Sequence, residues 1–387
     1  MLPLWVITLV VAVVASVAVF GNRSPVVPQQ AASPTPAQPT PTQPAGPSPT
    51  PIPQVPPGPD IAWSIEHGAN SVAVAPDGTI IVTGWATIAR FAPDGTLMWE
   101  QNLAGSGDVA VDGEGRIIVI VSTTVQCLSL DGSLVWTTSV GGFLRRVAVD
   151  QDGSIVVIGT VVARLTHDGD LEWVKEANSI MDGIKLWDVA IAPDGTILAG
   201  GSSVPPGESD PFATAATLTP DGDVIWAKTL DGNKTELVGV AAAPDGGMIA
   251  VKSSSIHRNP IGVVSLTRDG EVAWFKPMTN WHQYATKYAL KNEGFAGVTT
   301  GPDGRILVIG DMEGSGGRES YQAFITSMTP GGDLIWTKTL VVGYSNTIYK
   351  YGGLTGVAGS PDGSVVAVGR TCSYAEECRA VIVSLKP

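Results

Sequence analysis

One two-part phrase recurs seven times along this chain and restricts its fold more than any other feature. The first part reads Val-Ala-Val-x-Pro-Asp-Gly-x-Ile-x-Val-x-Gly. Its turn glycine falls at Gly78, Gly115, Gly153, Gly195, Gly246, Gly304 and Gly363. The second part reads x-Asp-Gly-x-Leu-x-Trp, with its tryptophan at Trp63, Trp99, Trp136, Trp173, Trp226, Trp274 and Trp336. Short β-type runs separated by tight turns, repeating every ~35–60 residues, mark a propeller or a solenoid.

Each repeat divides into four strands, a to d. In the first repeat the pattern predicts strands over Ser71–Ala75, Thr79–Gly84, Thr87–Ala92 and Thr96–Leu103. The a–b turn, Ala75-Pro76-Asp77-Gly78, places Pro where φ is pre-set and Gly where φ must be positive. Strand a carries one valine in every repeat: Val72, Val109, Val147, Val189, Val240, Val298 and Val357. Small residues beside it suit innermost strands that converge on an axis, and the strand d Trp is expected to pack between blades, where a large ring buries most area. The seventh repeat begins at Gly356 and carries strand c over Ala380–Leu385, and the matching fourth strand stands in front of the first repeat as Ile61–Ile65. The expected fold is therefore an all-β, seven-bladed β-propeller of four-stranded blades. Its ring is closed by an N-terminal strand that completes the last blade and leaves no open edge.

The Val-Ala-Val-x-Pro-Asp-Gly phrase resembles the repeat of bacterial NHL-type and related secreted seven-bladed propellers. The Asp-Gly-x-x-x-Trp phrase resembles the tryptophan-docking repeat of quinoprotein-like (PQQ-type) propellers. The Gly-to-Trp spacing matches in six internal copies and the leading Ala at Ala89, Ala163 and Ala216, whereas Phe91 and Asp94 depart from the pattern in the first copy. The resemblance covers about 325 residues. It implies the fold and no particular activity, because such repeats are structural and loops add the function.

Two non-globular pieces are expected ahead of the propeller, which is assigned residues 60–387. Residues 1–23 contain an uncharged apolar run at 2–20, long enough as a helix to cross a hydrocarbon core. This reads as a transmembrane anchor, with a cleaved signal segment, ending near Ser16-Val17-Ala18, as the competing reading. Residues 24–59, rich in Pro, Thr and Gln, read as a disordered stalk. Together they place the propeller outside the cytoplasm, held at a membrane or secreted. The net charge of −13, without a basic run, argues against nucleic acid. Cys372 and Cys378 are candidates for a small disulfide, with two free thiols as the alternative.

The connections between strands b and c and between d and a are short in the first three repeats and long from the fourth onward. The later ones hold Tyr284, Tyr288, Tyr321, Tyr344, Tyr349, Tyr351 and Tyr374, joined by Trp281 and His282. Aromatic-rich loops on a rigid scaffold suit a binding surface for a protein, peptide or glycan, though they also suit a satellite core. The residue before the repeated valine is Ser71, Asp108, Arg146 and Asp188 in the first four blades, then Gly239, Gly297 and Gly356. Asp108, Arg146 and Asp188 thus stand as further binding candidates at the channel mouth, or as a set that pairs around the ring. No nucleophile elbow, phosphate loop or zinc spacing occurs, and neither a metal nor a cofactor is expected. A binding or scaffold module is the first reading. A lyase or hydrolase using Asp108, Arg146, Asp188 and His282 is the alternative, and a PQQ-type cofactor propeller is the third.

Overall fold

The computed structural model describes residues 58–105, 107–150, 152–254, 262–277, 294–301, 303–313, 321–341, 349–373 and 379–386, some strand ends by their backbone alone. The chain divides into two units, Met1–Ile52 and Pro53–Pro387, and all described residues lie in the second. They form seven antiparallel sheets of four strands each, in the order a-b-c-d. Blade 1 consists of Ser71–Val74, Ile80–Thr83, Thr87–Phe91 and Leu97–Asn102. In blade 7 the outermost strand is Ile61–Glu66, which pairs antiparallel with Arg379–Leu385 from Ile61↔Leu385 to Glu66↔Val381, with one register shift between Ile61 and Trp63. The fold is a seven-bladed β-propeller.

The hydrophobic pattern explains where the core lies. Strands b are nearly continuous apolar runs, such as Ile117–Val121 and Ile155–Gly159, buried on both faces. Seven apolar clusters result, each drawn from two neighbouring blades, as where Ile118 and Cys127 meet Leu144, Val157 and Ala163. The cores therefore sit between blades and none sits on the axis. Burial pushes the Cys127 thiol up to about 11, so it behaves as a small apolar core residue.

The strand d tryptophan locks each blade to the next. Its indole N–H donates to the carbonyl just before the Asp-Gly of the neighbouring c–d turn. The pairs are Trp63 to Pro93 at 2.8 Å, Trp99 to Leu130 at 2.9 Å, Trp173 to Pro220 at 3.0 Å and Trp226 to Arg268 at 2.6 Å. The ring lies against the turn glycine. At Gly222, φ is +78° and a Cβ would stand 2.9 Å from the Trp173 ring, so both conformation and space demand glycine. Trp136 breaks the series: Arg116 donates to the His167 carbonyl at 3.0 Å, and the Trp136 Nε1 is buried without a partner among the described residues. At blade 6, Gly58 supplies the docking surface. Its N–H donates to Thr337 O at 3.2 Å, and a Cβ there would lie 2.9 Å from the Trp336 ring.

The turn aspartates act locally. Asp77 Oδ1 accepts the Thr79 N–H at 2.9 Å, and Asp94, Asp131, Asp152, Asp194, Asp303 and Asp362 repeat the arrangement two residues on. Asp112 uses one carboxylate oxygen on the backbone of Glu114 and Arg116 and the other on the Arg116 guanidinium, which accounts for its burial.

The later long connections are built partly as strand. Tyr321 opens the strand Tyr321–Met328, while Tyr349 and Tyr351 lie in Tyr349–Gly359, opposite Ser373 and Cys372. Blades 6 and 7 therefore extend as hairpins at this end, where the sequence pattern suggested loops. The backbone ladder continues past the repeat because the flanking residues pair in register.

Candidate functional site: the channel mouth

All seven strands a run from the loop face to the turn face, so their first residues ring the mouth of the central channel. The channel cavity measures about 350 Å³. Ser71, Asp108, Arg146, Asp188, Gly297 and Gly356 line it, with the repeated valines below. The structure thus brings together the three charged residues that the repeat alignment singles out.

Each carboxylate is committed to a neighbouring blade. Asp108 Oδ1 accepts the Ser71 hydroxyl at 2.6 Å, and Oδ2 accepts the Val147 N–H at 3.0 Å. Asp188 Oδ2 accepts the Val240 N–H at 2.7 Å, and Oδ1 lies 3.6 Å from Arg146 Nε. One staple therefore joins blades 1, 2 and 3, and the other joins blades 3, 4 and 5. Arg146 and Asp188 keep 34% and 18% of their side-chain surface exposed to the channel. Burial pushes the Asp188 carboxyl up to about 6, against the pull of Arg146 and the Val240 N–H, and the Asp108 charge adds to the rise. The carboxylates, Asp108 foremost, hold the Arg146 guanidinium above its ordinary value despite burial.

The glycine side is closed by backbone. A Cβ at Gly239 would lie 2.9 Å from Val298 N and 3.0 Å from the Gly297 Cα, and one at Gly356 would lie 3.4 Å from Val72 N. Blades 5 and 6 thus meet main chain to main chain where blades 2 to 5 use carboxylates. Glycine is required there by proximity.

Strand a carries an extra residue at the mouth in blades 3 to 7, marked by the register shifts Leu144/Arg146, Leu186/Asp188, Leu237/Gly239, Phe295/Gly297 and Leu354/Gly356. A bulge of this kind re-aims one side chain. The bulged residues are Arg145, Trp187, Val238, Ala296 and Thr355. The Arg145 guanidinium carbon lies 4.2 Å from the Trp187 ring centre and 5.5 Å from that of Phe143. Trp187 is itself held by its indole N–H donating to Ser202 Oγ at 3.2 Å. Phe143 is 57% exposed, and Trp85, on the b–c connection of blade 1, is 75% exposed. These four residues are absent from the sequence-based set. For Arg145 and Trp187 the signal was the variable position between a repeated leucine and the channel residue, as in Leu144-Arg145-Arg146 and Leu186-Trp187-Asp188.

Of the other sequence-based candidates, Trp281, His282, Tyr284, Tyr288, Tyr344, Tyr374 and Cys378 lie outside the described residues, as does the apolar run at 2–20. Tyr321, Tyr349, Tyr351 and Cys372 are placed by backbone alone, on the hairpins of blades 6 and 7. No helix of the described residues is long and apolar enough to cross a membrane, and among them no three His, Cys, Asp or Glu side chains are grouped to hold a metal.

The family model described as outer membrane protein assembly factor BamB matches residues 85–244, from blade 1 into blade 5. Solved propellers superpose on nearly the whole ring. The WD40 domain of Neurospora crassa Pan2 does so with a TM-score of 0.54 at 11% identity, covering 83% of this chain and 90% of its own. A catalytically inactive virginiamycin B lyase from Staphylococcus aureus, solved with quinupristin, gives 0.53 at 13% identity, covering 84% and 99%. The chain is a seven-bladed propeller, similar over residues 85–244 to the assembly-factor family. Sqt1 of Chaetomium thermophilum is similar at a TM-score of 0.52 and 12% identity, covering 82% of each chain. At such identities the likeness is one of fold. No curated protein sequence matches the chain.

Proposed function

We propose that this propeller is a binding and scaffold module that docks a protein or peptide on its loop face and performs no chemistry there. The observation that carries this reading is the commitment of Asp108 and Asp188 to neighbouring backbone N–H groups. A carboxylate that already accepts from the scaffold is poorly placed to move a proton on a substrate, and stiffening the mouth is what a docking platform needs. The family model's description as an assembly factor supports a protein partner over a glycan. The aromatic residues of blades 5 to 7, Trp281, His282, Tyr284, Tyr288, Tyr321, Tyr344, Tyr349, Tyr351 and Tyr374, are proposed as contacts on this face. The segment at 2–20, as an anchor or a cleaved signal, and the stalk to residue 59 are proposed to present residues 60–387 outside the cytoplasm. A Cys372–Cys378 bridge would suit that compartment.

The test compares partners captured by the full chain and by a Trp281→Ala, Tyr284→Ala, Tyr349→Ala variant. A partner lost from this variant but kept by a Pro193→Ala, Pro244→Ala variant on the turn face supports the reading. Equal capture by all three overturns it. The enzyme alternative keeps one supporting observation, the Asp188 carboxyl poised near 6 in a cavity. It predicts a turnover that Asp188→Asn abolishes.

A further inference from the structure

We infer that Phe143, Arg145 and Trp187 form a second docking point on the loop face, built to receive one carboxylate of a peptide beside an aromatic or apolar side chain. This rests on the reading of the loop face as a docking face and adds a place and a chemistry to it. The bulge in strand a of blade 3 turns Arg145 toward blade 4, and the bulge in blade 4 turns Trp187 to meet it. The guanidinium is held over the Trp187 ring at 4.2 Å, with Phe143 at 5.5 Å on the connection that enters blade 3. Arginine stacked in this way loses little further freedom when it forms a forked pair with a carboxylate.

The guanidinium is a donor without a taker. Among the described residues no carboxylate lies within 4 Å of it, and its side chain makes no hydrogen bond. Arg90, Arg116, Arg164, Arg268 and Arg305, by contrast, are each paired with an acid on the turn side of the blades. The adjacent Arg146 is taken by Asp188. Burial lowers the proton affinity of Arg145 and Arg146 lowers it further, while Glu236 opposes them from a distance. An incoming carboxylate would supply the opposite charge that offsets the repulsion from Arg146.

Charge decides the occupant. The whole chain carries −13, which repels polyanions such as nucleic acid or an acidic tract. A single carboxylate escapes most of that penalty, and the exposed Phe143 ring offers apolar area to the residue beside it. The occupant is therefore a peptide with one acidic group flanked by aromatic residues.

The test uses purified full-length chain and a fluorescein-labelled peptide with one Glu between two Phe, read by fluorescence anisotropy. The expected result is binding about tenfold tighter than to the Gln counterpart, weakened as salt rises. Arg145→Gln should remove that preference, Arg145→Lys should retain part of it, and Phe143→Ser should weaken both peptides alike. Equal affinity for the Glu and Gln peptides, or an unchanged preference in Arg145→Gln with an unchanged melting curve, overturns the proposal. Citrate or inorganic phosphate binding as tightly as the Glu peptide overturns the peptide assignment. Because no cellular partner enters the measurement, failure here leaves the partner-capture test of the loop face standing on its own.

Discussion

The two halves of the channel mouth solve one packing problem in two ways. Blades 1 to 5 are joined at their innermost strands by Asp108 and Asp188, each of which accepts a backbone N–H from the next blade and meets Ser71 or Arg146 of the preceding one. Blades 5 to 7 omit the side chain, and at Gly239 the neighbouring main chain stands within about 3 Å of where a Cβ would be. The first solution tolerates variation in spacing but buries charge. The second carries no charge and, at Gly239, leaves no room for a side chain. The asymmetry leaves polar groups on one side of the mouth and bare backbone on the other, within a ring whose blades otherwise repeat.

The comparison breaks first at Gly239. Replacing it with Val should destabilise the ring by about 3 kcal/mol, since overpacking against backbone cannot relax by a rotamer change. The matching Asp108→Gly change on the other side should cost about 2 kcal/mol, by orphaning the Val147 N–H and the Ser71 hydroxyl. Urea unfolding of both variants checks the order.

Next comes pH. The folded Asp188 carboxyl is raised to about 6 from an ordinary value of 3.8, so between these values the folded state binds the extra proton. Its contribution is fully present below about pH 4 and is lost as pH rises through about 6, on the order of 3 kcal/mol in all. Asp188→Asn should therefore flatten a decline in stability over that window. The turn aspartates act in the opposite sense. Asp131, held down by the Ser129 hydroxyl and the Ser133 N–H, contributes stability above its ordinary value that fades as pH falls below it. Thermal melts of parent and Asp188→Asn from pH 3 to 7 separate the two. A parallel pair of curves would remove Asp188 from the account. The smallest effect belongs to Arg145→Gln, which should leave the melting curve within about 0.5 kcal/mol of the parent, because this guanidinium joins no staple.

Much of the ring could be read without coordinates. Turn glycines and strand d tryptophans repeat because every blade meets the next in the same way, so one local solution is written seven times. The grouping of Asp108, Arg146 and Asp188 was legible for the same reason: a fixed offset from a repeated valine becomes a fixed place on the axis. Arg145 and Trp187 were not legible, because a bulge shifts register by one residue, and a shift of one sends a side chain to the other side of a strand. That Tyr321, Tyr349 and Tyr351 stand on strands was not legible for a related reason. Pairing beyond the repeat depends on a partner strand, and the residues that make it carry no turn or alternation signal of their own.

By itself, then, the sequence determined the number of blades, the strand order within each, the turns, and the residues that face the axis. These follow from local propensity and periodicity, which act over a few residues. Tertiary structure alone decided which carboxylate reaches which blade, why glycine stands at 239, and that Arg145 lies on Trp187. Those contacts join residues some 40 to 60 positions apart, and only the closed ring sets their distances.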